Sequence, residues 1–405
     1  MKIKMVYGLL AILILLAMTA CGSGSGSSDG TATNASGSTS GADTSGGSSG
    51  PSSAASSDTS GSKADLDHAQ QQIDQYKKLP EFVPAGEPFD ARKAMAGKKI
   101  LSIPASSSVP FLSNIEKVMG GTAKDIGFEF KEWTNQGQPS EWVQGMNNAV
   151  NQKYDLVDLL AGTDPAVLKP QIDAAKAAGV KVVSSHLSGL DQTVPNVTEN
   201  LGIDYNLAGR LLADWACVKT EGKPNVLMIT SDEVVSTGSL AGGIKSEFAA
   251  VCPDAKITSV NVPVTEWGTK IQPTVQAAVV KDPGLNYILP IYDSMSQFVV
   301  SALATAGASD RVKIATFNGT PFVLDLIAQG KVEMDIGENL DWIGRAVLDA
   351  EMRLLAGLPF PKDPHIPLYI WDKSNIAQAG SPAKVSTGYG DAYIDGYNKL
   401  WMLSK

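Results

Sequence analysis

The chain has 405 residues, 43% hydrophobic and 19% charged, with a net charge of −9, three cysteines and three histidines. Such an acidic chain is unsuited to binding nucleic acid or an anionic membrane surface, because both would repel it. Its length exceeds what one small core requires and suits two lobes.

The chain opens with Met-Lys-Ile-Lys and an apolar run over residues 6–18, which stops at Met18-Thr-Ala-Cys21. A basic head, one apolar stretch and small residues before a cysteine predict a lipoprotein signal peptide over residues 1–20. The run, about thirteen residues, is too short to span a bilayer comfortably. Cleavage before Cys21 would free a thiol for acylation and hold the rest at the outer face of a membrane. Loss of Lys2 and Lys4 with the signal takes the net charge from −9 to −11. Residues 22–61 are almost nothing but Gly, Ser, Ala, Thr and Asp. They carry no large apolar side chain to offset the entropy of ordering. Residues 21–63 are therefore expected to be a disordered tether, with a span of roughly 35 Å.

Residues 64–96 predict a helix, with Leu66, Ala69, Ile73 and Tyr76 on one face, and an arm containing Pro80, Pro84, Gly86 and Pro88. Short apolar strands then appear at 99–103, 128–133, 156–160 and 180–185, separated by helices at 111–126, 140–152 and 165–178. A second set places strands at 225–230, 257–262, 287–290, 312–317 and 333–336. Its helices cover 207–218, 239–251, 271–280, 296–306 and 321–328. A helix at 342–356, a strand at 368–371 and a terminal helix at 392–403 complete the series. Apolar strands alternating with amphipathic helices predict an α/β protein made of two similar doubly wound parallel-sheet lobes. In such sheets ligands sit outside the carboxyl ends of the strands. The loops there contain Phe111 and Leu112, Asn135, His186, Asp204 with Tyr205, Ser236 to Ser239, Trp267, Tyr292 with Asp293, Asn318, and Glu338.

These loops carry a family resemblance. Val109-Pro-Phe-Leu, Thr163-Asp-Pro-Ala, Ile203-Asp-Tyr-Asn-Leu-Ala-Gly and Phe317-Asn-Gly-Thr-Pro occur in order, with Gly307 before the last of them and Gly330-Lys after it. Over about residues 97–370 the chain resembles the periplasmic binding proteins of the ribose/galactose type, in their lipoprotein form. The resemblance implies a three-strand hinge, with crossovers near 204–206, 337–340 and 370–373. It thus implies an N-terminal lobe of 97–204 plus 339–370 and a C-terminal lobe of 205–338 plus 371–405. It also implies a small-molecule solute, closure of the lobes on it, delivery to the membrane permease of an ABC importer, and a monomer.

Carried over by resemblance, Phe111 and Leu112 lie beneath the ligand ring and Trp267 opposite. Asp204, Tyr292 with Asp293, Asn318 and Glu338 take polar positions, and Asn135 completes the first lobe's set. Two departures stand out. Sugar binders carry Asp-Arg where this chain has His186-Leu187, and a further arginine where it has Ser239-Leu-Ala-Gly-Gly-Ile. Without those bidentate donors, a less hydroxylated or aromatic solute is as well suited as a pentose or hexose. Asp204 and Glu338, if both face inward, would favour a cation or strong donor. Each aromatic also has a purely structural alternative: Phe111 as a helix staple, Trp267 as a core anchor, and His186 as a loop cap.

Cys217 and Cys252 remain in the exported body, where an oxidising compartment permits a disulfide; two buried thiols are the alternative. A disulfide there would contribute on the order of 3–4 kcal/mol in the chain-entropy account. Among rival functions, an enzyme lacks a signature: there is no dinucleotide or phosphate loop, no Gly-x-Ser-x-Gly and no His-Glu-x-x-His. No cofactor and no metal are expected. A sensory binding protein that presents its ligand to a membrane receptor or kinase remains the alternative to delivery.

Overall fold

The structure, a computed structural model, describes residues 61–403 apart from Asp191. The expected signal peptide, Cys21 and residues 22–60 of the tether lie outside the described residues. Residues 61–63 already belong to the first helix, α1 (Gly61–Gln75). Among the described residues no helix is long and apolar enough to cross a membrane.

A short helix, α2 (Ala91–Ala94), precedes the first lobe. The strands of that lobe are β1 (Lys99–Pro104), β2 (Glu129–Glu132), β3 (Leu156–Leu160), β4 (Lys181–Gly189) and β5 (Glu199–Ile203). They form a parallel sheet in the order β2-β1-β3-β4-β5. The intervening helices are α3 (Pro110–Ile126), α4 (Pro139–Asn151) and α5 (Lys169–Ala177). Every residue of β3 is buried, whereas edge strand β2 alternates exposed and half-buried positions. That contrast is expected of a sheet whose centre is covered on both faces. Strand β5 has no apolar run, Glu-Asn-Leu-Gly-Ile, and pattern reading passes over it.

The second lobe begins with α6 (Tyr205–Lys219) and continues β6 (Asn225–Thr230), α7 (Ser236–Val251), β7 (Lys256–Asn261), α8 (Trp267–Lys281) and β8 (Tyr287–Pro290). Helix α9 (Ser296–Thr305), strand β9 (Lys313–Asn318), helix α10 (Pro321–Ala328) and strand β10 (Met334–Glu338) follow. After α11 (Leu340–Ala356) comes β11 (Leu368–Asp372), and the chain ends in α12 (Ala392–Leu400). The second sheet has the order β11-β10-β9-β8-β6-β7, parallel except for β11, which runs antiparallel to β10. Two doubly wound parallel-sheet lobes are thus the observed architecture.

The lobe boundaries differ from the expected ones at two places. Residues 339–370 do not all belong to the first lobe: α11 packs on α3, but Leu368 to Ile370 already pair with β10. The crossing therefore lies before β11, between 357 and 367, not at 370–373. Nor do residues 371–405 stay with the second lobe. Tyr393, Tyr397, Leu400 and Trp401 are buried in the first lobe's core, with Trp342 and Phe89. Trp342 stacks on Tyr393 at 5.0 Å, and Trp401 Nε1 donates to Asp349 Oδ1 at 2.8 Å. A terminal helix this aromatic is held by the face that buries its rings.

The N-terminal arm also spans both lobes. Ala69 and Ile73 of α1 sit in the second lobe's core, and Lys77 pairs with Asp372 at 2.6 Å. Further along, Phe82 packs edge-on to Tyr397 at 4.9 Å, and Phe89 N–H donates to Leu400 O at 2.9 Å. Helices α6 and α7 approach closely because Gly209 and Gly243 face each other's helix. A Cβ at Gly209 would lie 2.1 Å from Leu240 O. At one end of this pair Cys217 and Cys252 form a disulfide, with Cα atoms 6.1 Å apart.

The first lobe buries Glu116, Asp158, Asp349 and Glu351. Ser102 Oγ donates to Glu116 at 2.6 Å, and Ser185 Oγ to Asp158 at 2.7 Å. Both Glu351 oxygens are buried with no partner among the described residues. Burial pushes Asp158 up to about 7. It drives Glu116 and Glu351 well above the usual carboxylate range, aided in both by the charge of Asp158, in Glu116 also by Glu132 and in Glu351 also by Glu116. In the second lobe burial raises Asp214 to about 8 and Asp293 to about 7. A carboxyl whose folded pKa is raised stabilises the fold fully below its unfolded value, about 4, and loses that contribution as pH climbs through the folded value.

Stability should therefore fall as pH rises from about 4 to about 8. We expect a thermal unfolding midpoint several degrees higher at pH 5 than at pH 8. Glu351→Gln should shrink the gap by raising the pH 8 value, and a midpoint that climbs with pH in the parent protein would contradict the assignment. Separately, Cys217→Ser with Cys252→Ser should cost on the order of 3–4 kcal/mol in denaturant unfolding. An unchanged denaturation midpoint would show that the bond adds nothing to stability.

Candidate functional site

The carboxyl ends of the two sheets face a common cleft, where about 500 Å³ is free of protein atoms. The first lobe contributes Phe111 and Leu112, from the first turn of α3. Pro110 opens that helix at a position where a missing N–H costs nothing. Beside them is His186, whose ring centroid lies 5.2 Å from that of Phe111. His186 reaches the cleft because β4 buckles. Ser185 pairs with Leu201 and Gly189 with Ile203, so three β4 residues oppose one on β5. At the buckle His186 takes φ 51°, a left-handed conformation uncommon for a side chain of this size. Ala161, after β3, and Asn318, ending β9, also line the cleft with positive φ, 44° and 145°. Strain of this kind, about 1–3 kcal/mol each, concentrates where backbone aims side chains at a site.

From the second lobe, Trp267 opens α8 and donates its indole N–H to Ser231 Oγ at 2.9 Å. Its ring stacks on Tyr292 at 6.4 Å. The Tyr292 hydroxyl lies 2.9 Å from both Ser236 Oγ and Thr237 Oγ1, and burial pushes its pKa up to about 12. Asn318 is positioned by the loop it begins. Asp335 accepts from Gly319 N–H at 3.1 Å, and Asp293 accepts from Thr320 N–H at 2.6 Å and from its hydroxyl at 2.8 Å.

His186 also bridges the lobes. Its Nε2 lies 2.9 Å from Glu338 Oε2, at the end of β10, and its Nδ1 lies 2.5 Å from the Tyr205 hydroxyl, at the start of α6. That hydroxyl donates to the His186 carbonyl at 2.7 Å. Burial, with Glu338 nearby, drives the Tyr205 pKa well above its ordinary value. Thus most of the polar side chains nearest the cleft are already engaged within the protein, Asn318 only through a 3.5 Å contact of its amide with Glu338. No Lys, Arg, Asp or Glu side chain among the described residues lines it. Among the described residues no group of His, Cys, Asp and Glu could hold a metal ion.

Of the residues singled out from sequence, Phe111, Leu112, His186, Trp267, Tyr292 and Asn318 meet in the cleft. Four do not line it. Asn135 spends its amide on Pro104 O and Trp133 O and its carbonyl on Gly137 N–H, clasping its own loop. Asp204 is the N-cap of α6, accepting from Leu207 N–H at 3.0 Å. Asp293 holds Thr320, and Glu338 stands behind His186. A cation gripped by Asp204 and Glu338 is therefore not what this geometry offers. Conversely, Tyr205 and Ser236 line the cleft; they lie in the strand-end loops, Tyr205 within a family motif, but neither is charged and neither is carried over as a ligand-binding position. Val109, Val234 and Val264 supply apolar wall, and valines carry no signal that separates a cleft from a core.

Over residues 100–359 the chain matches the periplasmic binding protein domain. No curated protein matches it. Among solved structures it is similar to an ABC transporter solute binding protein from Agrobacterium vitis with bound allitol: 21% identity, TM-score 0.62, covering 71% of this chain and 99% of that one. A 5-methylthioribose transporter solute binding protein from Thermotoga lettingae is 19% identical, TM-score 0.63, covering 78% and 95%. A carbohydrate transporter protein from Acidothermus cellulolyticus, in complex with myo-inositol, is 23% identical, TM-score 0.60, covering 70% and 97%. Identities this low establish the fold and not the ligand. With well over half its length matched to the family and two parallel-sheet lobes around a cleft, the chain belongs to the periplasmic binding proteins.

Proposed function

We propose that the protein is an extracytoplasmic solute-binding lipoprotein that captures a small neutral solute between its lobes and delivers it to an ABC permease. One observation carries this reading: apolar and aromatic side chains of opposite lobes, Phe111 and Leu112 against Trp267 and Tyr292, line one cavity. Aromatic faces pack against ring C–H groups and exclude water, which suits a sugar-like solute or a less hydroxylated or aromatic one. The similar proteins named above hold allitol, myo-inositol and 5-methylthioribose, all small and neutral. In this reading Cys21 carries the lipid, residues 22–60 let the body stand off the membrane, and one chain suffices for a complete site.

Capture works through the hinge equilibrium. An open form binds solute on one lobe, and closure adds the other lobe's wall together with the His186–Glu338 contact, so the solute shifts the population towards the closed form. Closure changes the surface shared by both lobes, which is what a permease can read.

The test is to extract small molecules from natively purified protein, identify the solute and titrate it calorimetrically. Phe111→Ala should weaken its binding by about 10- to 100-fold, the cost of losing one buried aromatic contact, with circular dichroism unchanged. Asp204→Ala should leave affinity as it was and lower stability by about 1 kcal/mol, as loss of a helix cap does. Equal affinity in Phe111→Ala, or a large affinity loss in Asp204→Ala, would move the site elsewhere.

A further inference from the structure

The cleft has a second chamber. Val109, Val264, Trp267 and Ser294 line both it and the inner cavity, forming a neck between the two. The outer chamber, with about 780 Å³ free of protein atoms, opens at the mouth of the cleft. Its walls are of opposite character to the inner ones. Ser106, Ser108, Gln136 and Gln138 face it from the first lobe, and Thr265 and Gln297 from the second. Most of these side chains are exposed, and all are amides or hydroxyls without charge.

The inner chamber is largely apolar, and apart from Asn318 its polar side chains are occupied. Trp267 Nε1 is given to Ser231, the Tyr292 hydroxyl to Ser236 and Thr237, and both His186 nitrogens to Tyr205 and Glu338. A ring bearing hydroxyls on every edge would leave several of them unpaired there, at about 1–3 kcal/mol each. In the outer chamber Gln297 Nε2 donates to Ser294 O at 3.1 Å and the Ser106 and Ser108 hydroxyls lie 2.8 Å apart, while the exposed Gln136, Gln138 and Thr265 and the Gln297 carbonyl add neutral donors and acceptors in contact with water. Among the described residues, neither chamber is lined by a Lys, Arg, Asp or Glu side chain to neutralise a charged solute.

From this division, and resting on the solute-binding reading above, we infer that the ligand is a neutral two-part solute longer than a monosaccharide. An apolar end, of aromatic-ring or short-alkyl size, enters the inner chamber between Phe111 and Trp267. A hydroxylated or amide-bearing end occupies the outer chamber against Gln138 and Gln297. Aryl and alkyl glycosides have this chemistry; free hexoses, amino acids and phosphorylated sugars do not. The glutamines select by hydrogen bonding at the mouth, while the aromatic pair supplies most of the contact.

The experiment is a calorimetric titration of the mature protein with 4-nitrophenyl and butyl glycosides of glucose, galactose, xylose and ribose, each beside its free sugar and, for glucose, its 6-phosphate. At least one glycoside should bind ten or more times more tightly than its free sugar, and the phosphate should not bind. Gln138→Ala with Gln297→Ala should weaken that glycoside about tenfold with circular dichroism unchanged, Gln138 also being the N-cap of α4, whereas Phe111→Ala should abolish the preference for glycoside over sugar. Free sugars binding as tightly as every glycoside, or a charged solute binding best, would overturn the two-part assignment and leave solute capture standing. No binding by any glycoside or sugar, with no solute carried through purification, would overturn both.

Discussion

The two lobes meet at a buried polar cluster, His186 against Glu338 with Tyr205 on the imidazole's other nitrogen, and much of the cleft follows from it. Burying these groups without partners would cost several kcal/mol, so they must find each other across the lobe boundary. That requirement explains the buckle in β4 and the left-handed backbone at His186, since a regular strand would aim the ring differently. It also explains why Asn318 sits where it does, 3.5 Å from the same carboxylate, on a loop pinned by Asp293 and Asp335. With the polar atoms engaged among themselves, what remains facing the cavity is largely hydrocarbon and aromatic ring.

The consequence for recognition is a separation of tasks. In the proposed reading, contact area comes from Phe111, Leu112, Trp267 and Tyr292, which two different lobes hold in place through helix starts and strand ends. On the same proposal, hydrogen bonding to a solute is left to the uncharged side chains at the mouth. A protein built around arginine clamps would divide the work otherwise, with charge at the cleft floor and specificity for vicinal hydroxyls. The buried acids follow the same economy. Asp293 and Asp335 position a loop and do not reach the cavity, and Glu116, Asp158 and Glu351 lie within the first lobe's core.

Much of the architecture was legible in the sequence because alternating apolar strands and amphipathic helices are a strong periodic signal. Strands such as 156–160 and 287–290 and the helix at 321–328 lie where the pattern puts them. Strand β5 was not, because its five residues alternate without an apolar run. The placement of the last two elements was not legible either. Strand β11 reads the same whichever sheet it joins, and only cross-strand pairing with β10 decides it. The aromatic face of α12 announces that the helix is buried but not by which lobe. In the cleft, aromatic residues at strand ends were readable, whereas the duties of the polar ones were not. Asn135 and Asp204 stand at the right strand ends, yet their side chains are taken by neighbouring backbone, a competition invisible until the loops are folded. Tyr205 shows the converse: a residue beside a hinge whose partner, His186, lies on another lobe.

The claim on which this account rests is that a solute is held by both lobes at once. Hydrogen–deuterium exchange, followed peptide by peptide with and without the solute recovered from the purified protein, tests it most directly. The account predicts simultaneous protection of the first turn of α3 and the first turn of α8, with the bulged stretch of β4 slowed alongside them. Protection confined to one lobe, or appearing on a surface remote from the cleft, would contradict it.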